Sequence, residues 1–281
     1  MQDTQTKLPR FLAIANQKGG VGKTTTAVNL ATALCAVGKK VLLVDLDPQG
    51  NASTGLGVRR SSIRGSAYDL LFGDADVMSV CVPTKVPQLK IVPSTIHLSG
   101  AEVELVTASN REFRLKEALR KPLPFDYVIF DCPPSLSLLT LNALVAVDSV
   151  VVPMQCEFYA LEGLSHLVKT IDRVRKNFNA RLNIQGVVLT MYDKRNNLSA
   201  MVEADVRDHF GDRVYKTVIP RNVRLSEAPS FGLPAIVYDM KCTGAQAYIS
   251  LAKEVLRREK KLVNNDDKKY LSAHSSGDKV A

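Results

Sequence analysis

Tryptophan is absent from this chain of 281 residues, and aromatic residues account for only 6% of it. The core must therefore be aliphatic, built from Val, Leu, Ile and Ala. Long hydrophobic runs are missing too: the longest, such as Phe11–Ala15 and Val150–Met154, are far shorter than the ~20 residues that span a membrane. Hydrophobic residues make up 46% and charged residues 23%, which excludes a disordered chain or a collagen-like fibre.

Disulfide and secretion signals are also lacking. The five cysteines form no CxxC pair, and their odd number argues against a full disulfide set. We therefore expect free thiols in a reducing cytoplasm. The first residues, MQDTQTKLPR, contain no apolar segment of a secretory signal. Cys132 lies beside an acidic residue but in no catalytic or metal-ligand pattern, so we expect a small buried thiol there.

Positive charge is in excess. The chain has 37 Lys and Arg residues against 28 Asp and Glu residues, a formal charge of +9. A surplus of this size favours a polyanionic partner, such as nucleic acid or an anionic surface. It carries no information on the fold.

Short apolar runs alternate with helical patterns along the chain. The runs are Phe11–Ala15, Val41–Val44, Leu89–Val92, Tyr127–Phe130, Val150–Pro153, Ile184–Thr190 and Val214–Ile219. This alternation predicts an α/β fold, a doubly wound, mostly parallel sheet flanked by helices. We expect one domain over residues 11–258, ending in a helix over Ala245–Arg258. A short arm, 1–10, precedes it, and a polar, disordered tail, 259–281, follows.

A glycine-rich loop follows the first apolar run. Residues 17–25 read QKGGVGKTT and open a helical pattern, which is the context of a phosphate-binding loop. Glycines let backbone N–H groups approach phosphate oxygens, and the helix N-terminus adds its dipole. Lys23 would reach the β- and γ-phosphates, and the Thr24 hydroxyl would bind Mg²⁺. The predicted nucleotide contacts from this loop are Gly19, Gly20, Val21, Gly22, Lys23, Thr24 and Thr25.

Three aspartates follow apolar strands. Asp131 comes directly after Tyr127–Phe130, where an acidic residue would hold Mg²⁺ directly or through water. Asp45 and Asp47 follow Val41–Val44 and, two residues apart, point to the same side of an extended chain. Ligands of open α/β sheets bind at the strand carboxyl ends, so we expect these groups to lie near the phosphate loop. The alternative for each is a cap on the following turn.

The loop departs from the strict pattern GxxxxGK[ST], because Gln17 replaces the first glycine and Lys18 precedes the glycine pair. KGGVGKT resembles the deviant Walker A motif of the ParA/MinD ATPases. VLLVDLDPQGN, EFYALEGL, MYD and VIPRNVRLSEAPSFG closely resemble segments of the chromosomal, Soj-like ParA family. The resemblance covers residues from about Phe11 to Arg257.

The resemblance implies specific roles. Lys18 would cross a dimer interface to the nucleotide of a second copy, and Asp47 would position the attacking water. Asp45 would support the Mg²⁺ shell, and the segment from Pro220 through Arg221 to Asn222 would flank the adenine. The implied catalytic residues are Lys18, Lys23 and Asp47, and the implied metal shell is Thr24, Asp45 and Asp131. The cofactors are then ATP and Mg²⁺.

The resemblance also implies the biology. An ATP-bound dimer would bind double-stranded DNA without sequence preference, and a ParB-type centromere-binding protein would accelerate its hydrolysis. The protein would be cytoplasmic and nucleoid-associated and would partition a chromosome or plasmid origin region. The implied DNA contacts are Lys194, Arg195, Arg221 and Arg224. Neighbouring acids leave a solvated charged rim as the alternative.

Other functions remain open at this point. A MinD-like membrane ATPase needs a C-terminal amphipathic helix, and no apolar stripe continues beyond Val263, so we expect no stable membrane binding. A nitrogenase-type iron protein needs two cysteines per subunit in a pattern that this chain lacks. A non-enzymatic DNA-binding scaffold would need neither Asp47 nor Asp131. The short arm leaves no room for the N-terminal helix-turn-helix domain of longer plasmid-type relatives.

Overall fold

The computed structural model describes residues 8–73 and 75–275, with side chains up to residue 260. Within these residues, seven strands form one sheet in the order β3-β4-β2-β5-β1-β6-β7. All neighbours are parallel except β3 and β4. The strands are β1 Arg10–Ile14, β2 Val41–Asp45, β3 Val82–Pro83, β4 Leu89–Val92, β5 Tyr127–Asp131, β6 Ser149–Gln155 and β7 Asn183–Thr190.

Both faces of the sheet are buried, which is why its strands are continuous runs of aliphatic residues. Leu42 and Val44 of β2 face one hydrophobic core, while Val41 and Leu43 face the other. The predicted doubly wound, mostly parallel sheet is confirmed. The helices are α1 Lys23–Ala36, α2 Asn51–Gly55, α3 Ala67–Phe72, α4 Val77–Val80, α5 Leu98–Thr107, α6 Arg114–Ala118, α7 Leu138–Ala146, α8 Ala160–Asn177, α9 Asn197–Phe210, α10 Val223–Glu227, α11 Ala235–Tyr238 and α12 Thr243–Ser275.

Two helices show how position determines composition. α1 lies between the sheet and α12 and is buried along nearly its whole length, as its run of Ala, Leu and Thr residues requires. α8 buries one stripe, Ala160, Leu164, Leu167, Ile171 and Val174, at the three- and four-residue spacing of a helix packed on one side.

The strand order brings the phosphate loop and the acidic residues together. β5 lies between β2 and β1, so Asp131 is in register with Asp45 on one side and with Ile14 on the other. The loop that follows β1 therefore emerges beside both aspartates. This is the carboxyl edge of the sheet, where open α/β folds bind ligands.

The run Val214–Ile219, predicted as a strand, is not a regular strand. Its ends contact β7, with Tyr215 N donating to Val187 and Ile219 N donating to Leu189. Between them, the N–H groups of Lys216 and Thr217 donate to the Glu254 carboxylate. The side chain of Glu254 thus replaces the strand partner, and the ladder is interrupted.

The terminal predictions also need correction. Arg10 belongs to β1 rather than to an arm, and residues 1–7 lie outside the described residues. The last helix does not end at Arg258: its backbone continues to Ser275, into the segment predicted to be a disordered tail. Glu259 packs against the sheet and contacts Tyr127, Gln185 and Arg10, so the helix is anchored beyond the predicted end. Residues 276–281 lie outside the described residues.

Within the described residues, none of the helices combines the length and the hydrophobicity of a membrane span.

Candidate active site

The phosphate loop connects β1 to α1. Gly20 and Gly22 have φ values of 74° and 80°, a region that side chains other than glycine rarely adopt. No atom lies within 4 Å of the Cβ position at Gly20, so the backbone conformation, rather than space, requires glycine there. Gly22 precedes the first turn of a helix of 14 residues, whose N–H groups attract anions. The loop thus has the open backbone that a phosphate needs.

Lys23 folds back over this loop. Its Nζ donates a hydrogen bond of 2.8 Å to the backbone carbonyl of Lys18. The residue is 7% exposed, and burial lowers the pKa of Lys23, while the nearby carboxylate of Asp131 acts in the opposite direction. A buried ammonium with one neutral partner favours an anion within reach.

Asp45 is fully buried, and its carboxylate is already bonded. Oδ2 accepts hydrogen bonds from Ser53 N at 2.8 Å and Ser53 Oγ at 2.7 Å, and Oδ1 accepts from Asp47 N at 3.2 Å. Burial raises the pKa of Asp45, although the bonds from Ser53 counteract the rise. Asp45 is therefore held in a fixed orientation behind the site. Ser53 is a residue that the sequence patterns did not indicate.

Asp131 lies opposite Asp45 and has no such partners. It is fully buried, and neither carboxylate oxygen accepts a hydrogen bond within the described residues. Burial and then the charge of Asp45 raise the pKa of Asp131 well above its usual range. Thr24 lies close enough to favour the charged form, although its hydroxyl does not meet hydrogen-bond geometry. A buried, unpaired carboxylate beside a threonine hydroxyl suits a hydrated divalent cation.

Asp47 lies just beyond the end of β2 and is 8% exposed. Its Oδ1 accepts a hydrogen bond of 3.0 Å from Gln49 N, which is the turn-capping contact that the alternative interpretation predicted. Within the described residues, Oδ2 accepts no hydrogen bond. The cap orients the carboxylate and leaves one oxygen available.

No group of three or more His, Cys, Asp or Glu side chains able to hold a metal occurs in the described part of the chain. Mg²⁺ is usually bound by one or two carboxylates together with water and phosphate oxygens. All five cysteines are free. Cys132 is 1% exposed, and burial raises the pKa of its thiol, so the expected small buried thiol is confirmed.

Thr190, at the end of β7, supports the loop from the side, and the sequence patterns did not indicate it. Its Oγ1 donates a hydrogen bond of 2.9 Å to the carbonyl of Val21, and its side chain approaches Gly22. Two residues later, Tyr192 accepts a hydrogen bond of 3.1 Å from Arg221 N. β7 therefore brings the predicted adenine segment and the phosphate loop to one edge of the sheet.

The predicted adenine segment is a short extended stretch before α10. Asn222 caps α10, with Oδ1 accepting a hydrogen bond of 2.9 Å from Arg224 N, and its Nδ2 donates to Thr243 Oγ1. Pro220 forms a bridge with Tyr192. The segment is thus fixed at both ends, while the Arg221 side chain is exposed.

Lys18 turns away from its own loop. Its Nζ forms an ion pair with Glu157, in the loop between β6 and α8. Both side chains are 42% exposed, so the pair is accessible to solvent. The contribution of such a pair to stability is small, and it can exchange partners.

The predicted DNA contacts form two groups. Arg195 forms a two-pronged ion pair with Asp193, at 3.0 and 2.9 Å, and this pair lowers the pKa of Asp193 to about 2. Arg224 pairs with Glu227 at 2.8 Å. Lys194 and Arg221 are exposed and, among the residues whose side chains are described, form no ion pair. All four follow β7 or the segment that packs beside it.

Comparison with known proteins agrees with this geometry. A family described as an AAA domain matches residues 9–184. The chromosome partitioning protein ParA of Caulobacter vibrioides strain NA1000 is 60% identical over 254 residues, covering 89% of this chain and 95% of that protein. The sporulation initiation inhibitor protein Soj of Bacillus subtilis strain 168 is 57% identical over 247 residues, covering 88% and 98%.

One similar solved structure is that of a protein described as cobyrinic acid a,c-diamide synthase from Mycobacterium smegmatis, with a bound ATP analogue and magnesium. Its TM-score is 0.79 at 40% identity, covering 90% of this chain and 96% of that one. The fold, the loop with its extra lysine, and the relatives named ParA and Soj all agree. The chain therefore belongs to the ParA/Soj family of chromosome-partitioning ATPases.

Proposed function

We propose that the chain is a weak, Mg²⁺-dependent ATPase whose nucleotide state controls dimerisation and DNA binding, and that it partitions a chromosome or plasmid origin region. The observation that carries this is the unpaired, buried carboxylate of Asp131 beside Thr24 and Lys23. An unpaired buried carboxylate lowers the stability of the fold, and its position matches a site for a cation and phosphates. The ATP analogue and magnesium in a similar structure support the same ligands.

Each residue has a role that follows from its position. The backbone of residues 19–25 and the Lys23 ammonium would bind the phosphates, while Thr24 and Asp131 would hold Mg²⁺ with Asp45 behind them. Mg²⁺ supplies neutralisation of phosphate charge. Asp47, held by Gln49 N with one oxygen available, would orient and polarise the attacking water. The adenine would lie against the segment from Pro220 to Asn222.

Lys18 would link dimerisation to ATP binding. In the single chain, its ammonium is paired with Glu157 and makes no contact with its own phosphate loop through that atom. A phosphate presented by a second copy would offer more negative charge than Glu157 and would displace it. The ATP-bound state would therefore be a dimer in which each Lys18 reaches the other nucleotide.

DNA binding would use the basic residues beyond β7. Lys194 and Arg221 are ready to contact phosphates, and Arg195 and Arg224 would exchange their carboxylate partners for DNA. Contacts of this kind release counterions and need no base readout, so binding would be independent of sequence. A dimer doubles the number of such contacts, which links DNA affinity to the ATP state.

A ParB-type centromere-binding protein would stimulate hydrolysis and return the dimer to monomers. This partner follows from family membership. We place the protein in the cytoplasm, on the nucleoid, and expect no stable membrane binding.

Two variants test the switch. Asp47→Ala leaves the phosphate-binding groups intact and should accumulate as an ATP-bound dimer that stays on DNA. Lys18→Ala should remain monomeric and release DNA even with ATP. Size-exclusion chromatography with ATP and Mg²⁺, followed by a DNA mobility shift, measures both, with the exposed Lys40→Ala as a control. A monomeric Asp47→Ala, or a Lys18→Ala that dimerises normally, would refute the switch and leave the ATPase assignment standing.

A further inference from the structure

A cavity of about 590 Å³ lies beside the loop that follows Asp47. Pro48 and Gln49 form part of its wall, whereas no residue of the phosphate loop lines it. Its volume falls within the range of small-molecule sites. The proposed function gives this cavity no role.

The lining is positively charged. Arg60, Arg64 and His97 contribute basic groups, and the carboxylate among the lining residues, Asp69, is engaged elsewhere. Asp69 Oδ2 accepts hydrogen bonds from Ser66 N at 2.7 Å and Ser66 Oγ at 2.9 Å, as part of the cap of α3. The Glu104 carboxylate, which does not line the cavity, accepts a hydrogen bond of 2.8 Å from the Tyr68 hydroxyl. Within the described residues neither Arg60 nor Arg64 forms an ion pair, so an anion is the matching ligand.

Buried hydroxyl groups indicate a ligand independently. Ser94 is 3% exposed, and neither its Oγ nor Thr95 Oγ1 has a hydrogen-bond partner within the described residues. Leaving such a group unpaired reduces the stability of the fold. Both residues line the cavity just before α5, a helix of 10 residues whose N-terminus also favours negative charge.

The same cavity has an apolar side. Tyr68 and Ile96 line it, and Ile96 is 72% exposed. A flat organic group would bury this surface, while arginine and hydroxyl donors match the several acceptor oxygens of a phosphate. The combination fits a phosphate ester better than a free inorganic ion.

We propose that this cavity binds a small phosphorylated molecule, with its phosphate near Arg60, Arg64 and the start of α5 and its organic group against Tyr68 and Ile96. Two contacts join the cavity to the hydrolytic residues. Arg60 Nη2 donates to the Gln49 carbonyl at 3.1 Å, two residues after Asp47. Ser94 N donates to Ser53 Oγ at 3.1 Å, and the same hydroxyl holds Asp45. A bound ligand would therefore adjust the Asp47 loop.

Phenyl phosphate is a suitable probe, because it has one phosphate and one flat apolar group. The full chain is first saturated with ADP and Mg²⁺, so that the nucleotide site is filled. The imidazole NMR signals of the four histidines are then followed during titration. We expect saturable shifts of His97, with His166 and His209 unchanged. Inorganic phosphate should bind roughly 10-fold more weakly, because it lacks the apolar group.

Matched variants complete the test. Arg64→Gln should weaken phenyl phosphate binding at least ~10-fold. Arg59→Gln changes an exposed arginine outside the cavity lining and should leave it unchanged. Equal shifts of all histidines, or an Arg64→Gln titration matching the wild type, would overturn the proposal. A His97 response to duplex DNA but not to phenyl phosphate would also overturn it, assigning the arginines to a DNA surface.

Discussion

Asp131 and Glu254 are both buried carboxyl groups, 0% and 7% exposed, yet their pKa values move in opposite directions. Burial and Asp45 raise the pKa of Asp131, which has no donor within the described residues. Burial also acts to raise the pKa of Glu254, but hydrogen bonds from Lys216 N and Thr217 N, among others, outweigh it and lower the value.

The two groups show what each region of the fold does. Glu254 accepts four hydrogen bonds, one of them from Arg258. The Arg258 guanidinium also donates to three backbone carbonyls and lies over the Tyr215 ring. That region stabilises the fold. Asp131 is at the carboxyl edge of the sheet, where a missing partner reduces stability and leaves a charge for a ligand. Of these two carboxyl groups, the one without a hydrogen-bond donor is therefore the one at the candidate ligand site.

The largest effect is expected at Lys23. Lys23→Ala removes the ammonium that lies over the loop and should abolish ATP binding or reduce hydrolysis by a factor on the order of 100 or more. Isothermal titration with ATP and a phosphate-release assay measure the two quantities. Unchanged ATP affinity together with unchanged hydrolysis would contradict the phosphate-loop assignment.

Asp131→Asn should separate function from stability. Hydrolysis should fall to background, while the nucleotide-free variant should gain about 1–3 kcal/mol in the free energy of unfolding, because an unpaired charge is removed. The folded-state pKa lies above the ordinary value of 3.8, so ionisation opposes folding at higher pH. The gain should vanish below pH 3.8, grow as the pH rises towards the folded-state pKa and level off above it. Urea denaturation over a pH series measures it, and a less stable variant at neutral pH would be the opposite result.

Glu254→Gln should give the reverse pattern. We expect a loss of about 1–3 kcal/mol in the free energy of unfolding at neutral pH, because Gln replaces an acceptor of four donors with a weaker one. Hydrolysis at temperatures where the variant is folded should be unchanged. The folded-state pKa lies below 4.5, so the wild-type advantage is present above that pH and is lost as the pH falls through the folded-state value. A constant difference across pH would show that the charge is not responsible.

The smallest effects are expected at the exposed ion pairs. Arg195→Ala and Arg224→Ala should each weaken DNA binding equally for all sequences and reduce the salt slope by about one unit per lost contact. ATP-dependent dimerisation should survive, since neither side chain touches the phosphate loop. Salt-dependent fluorescence anisotropy gives the slope. Loss of dimerisation instead would assign these arginines to the nucleotide site or the interface.

Local patterns predicted the elements that carry the site. Short aliphatic strands precede the glycine-rich loop with Lys23 and precede Asp131. Parallel strands place their carboxyl ends at the same edge of the sheet, so these residues are expected to lie close together. The order of the strands is not visible in the sequence, because β5 lies between β1 and β2 despite the long separation along the chain. The roles of Ser53 and Thr190 could not be predicted for the same reason. Tertiary packing, rather than a local sequence pattern, brings them to their partners Asp45 and Val21.

Two predictions failed where a single side chain outweighed the local pattern. Val214–Ile219 has the composition of a strand, yet Glu254 takes the N–H groups that a strand would use. Glu259 is polar, and the composition around it predicts a tail, yet it packs against Tyr127 and Arg10 and continues the helix. Burial of a charged residue depends on partners distant in sequence, which composition does not reveal.

The central claim is tested most directly by measuring how tightly the wild-type protein binds a short labelled DNA duplex. The affinity is measured in three states: with ATP and Mg²⁺, with ADP and Mg²⁺, and without nucleotide. We predict tight binding with ATP, weak binding in the other two states, and equal affinity for two unrelated sequences. Equal binding in all three states would contradict a nucleotide-controlled DNA-binding switch.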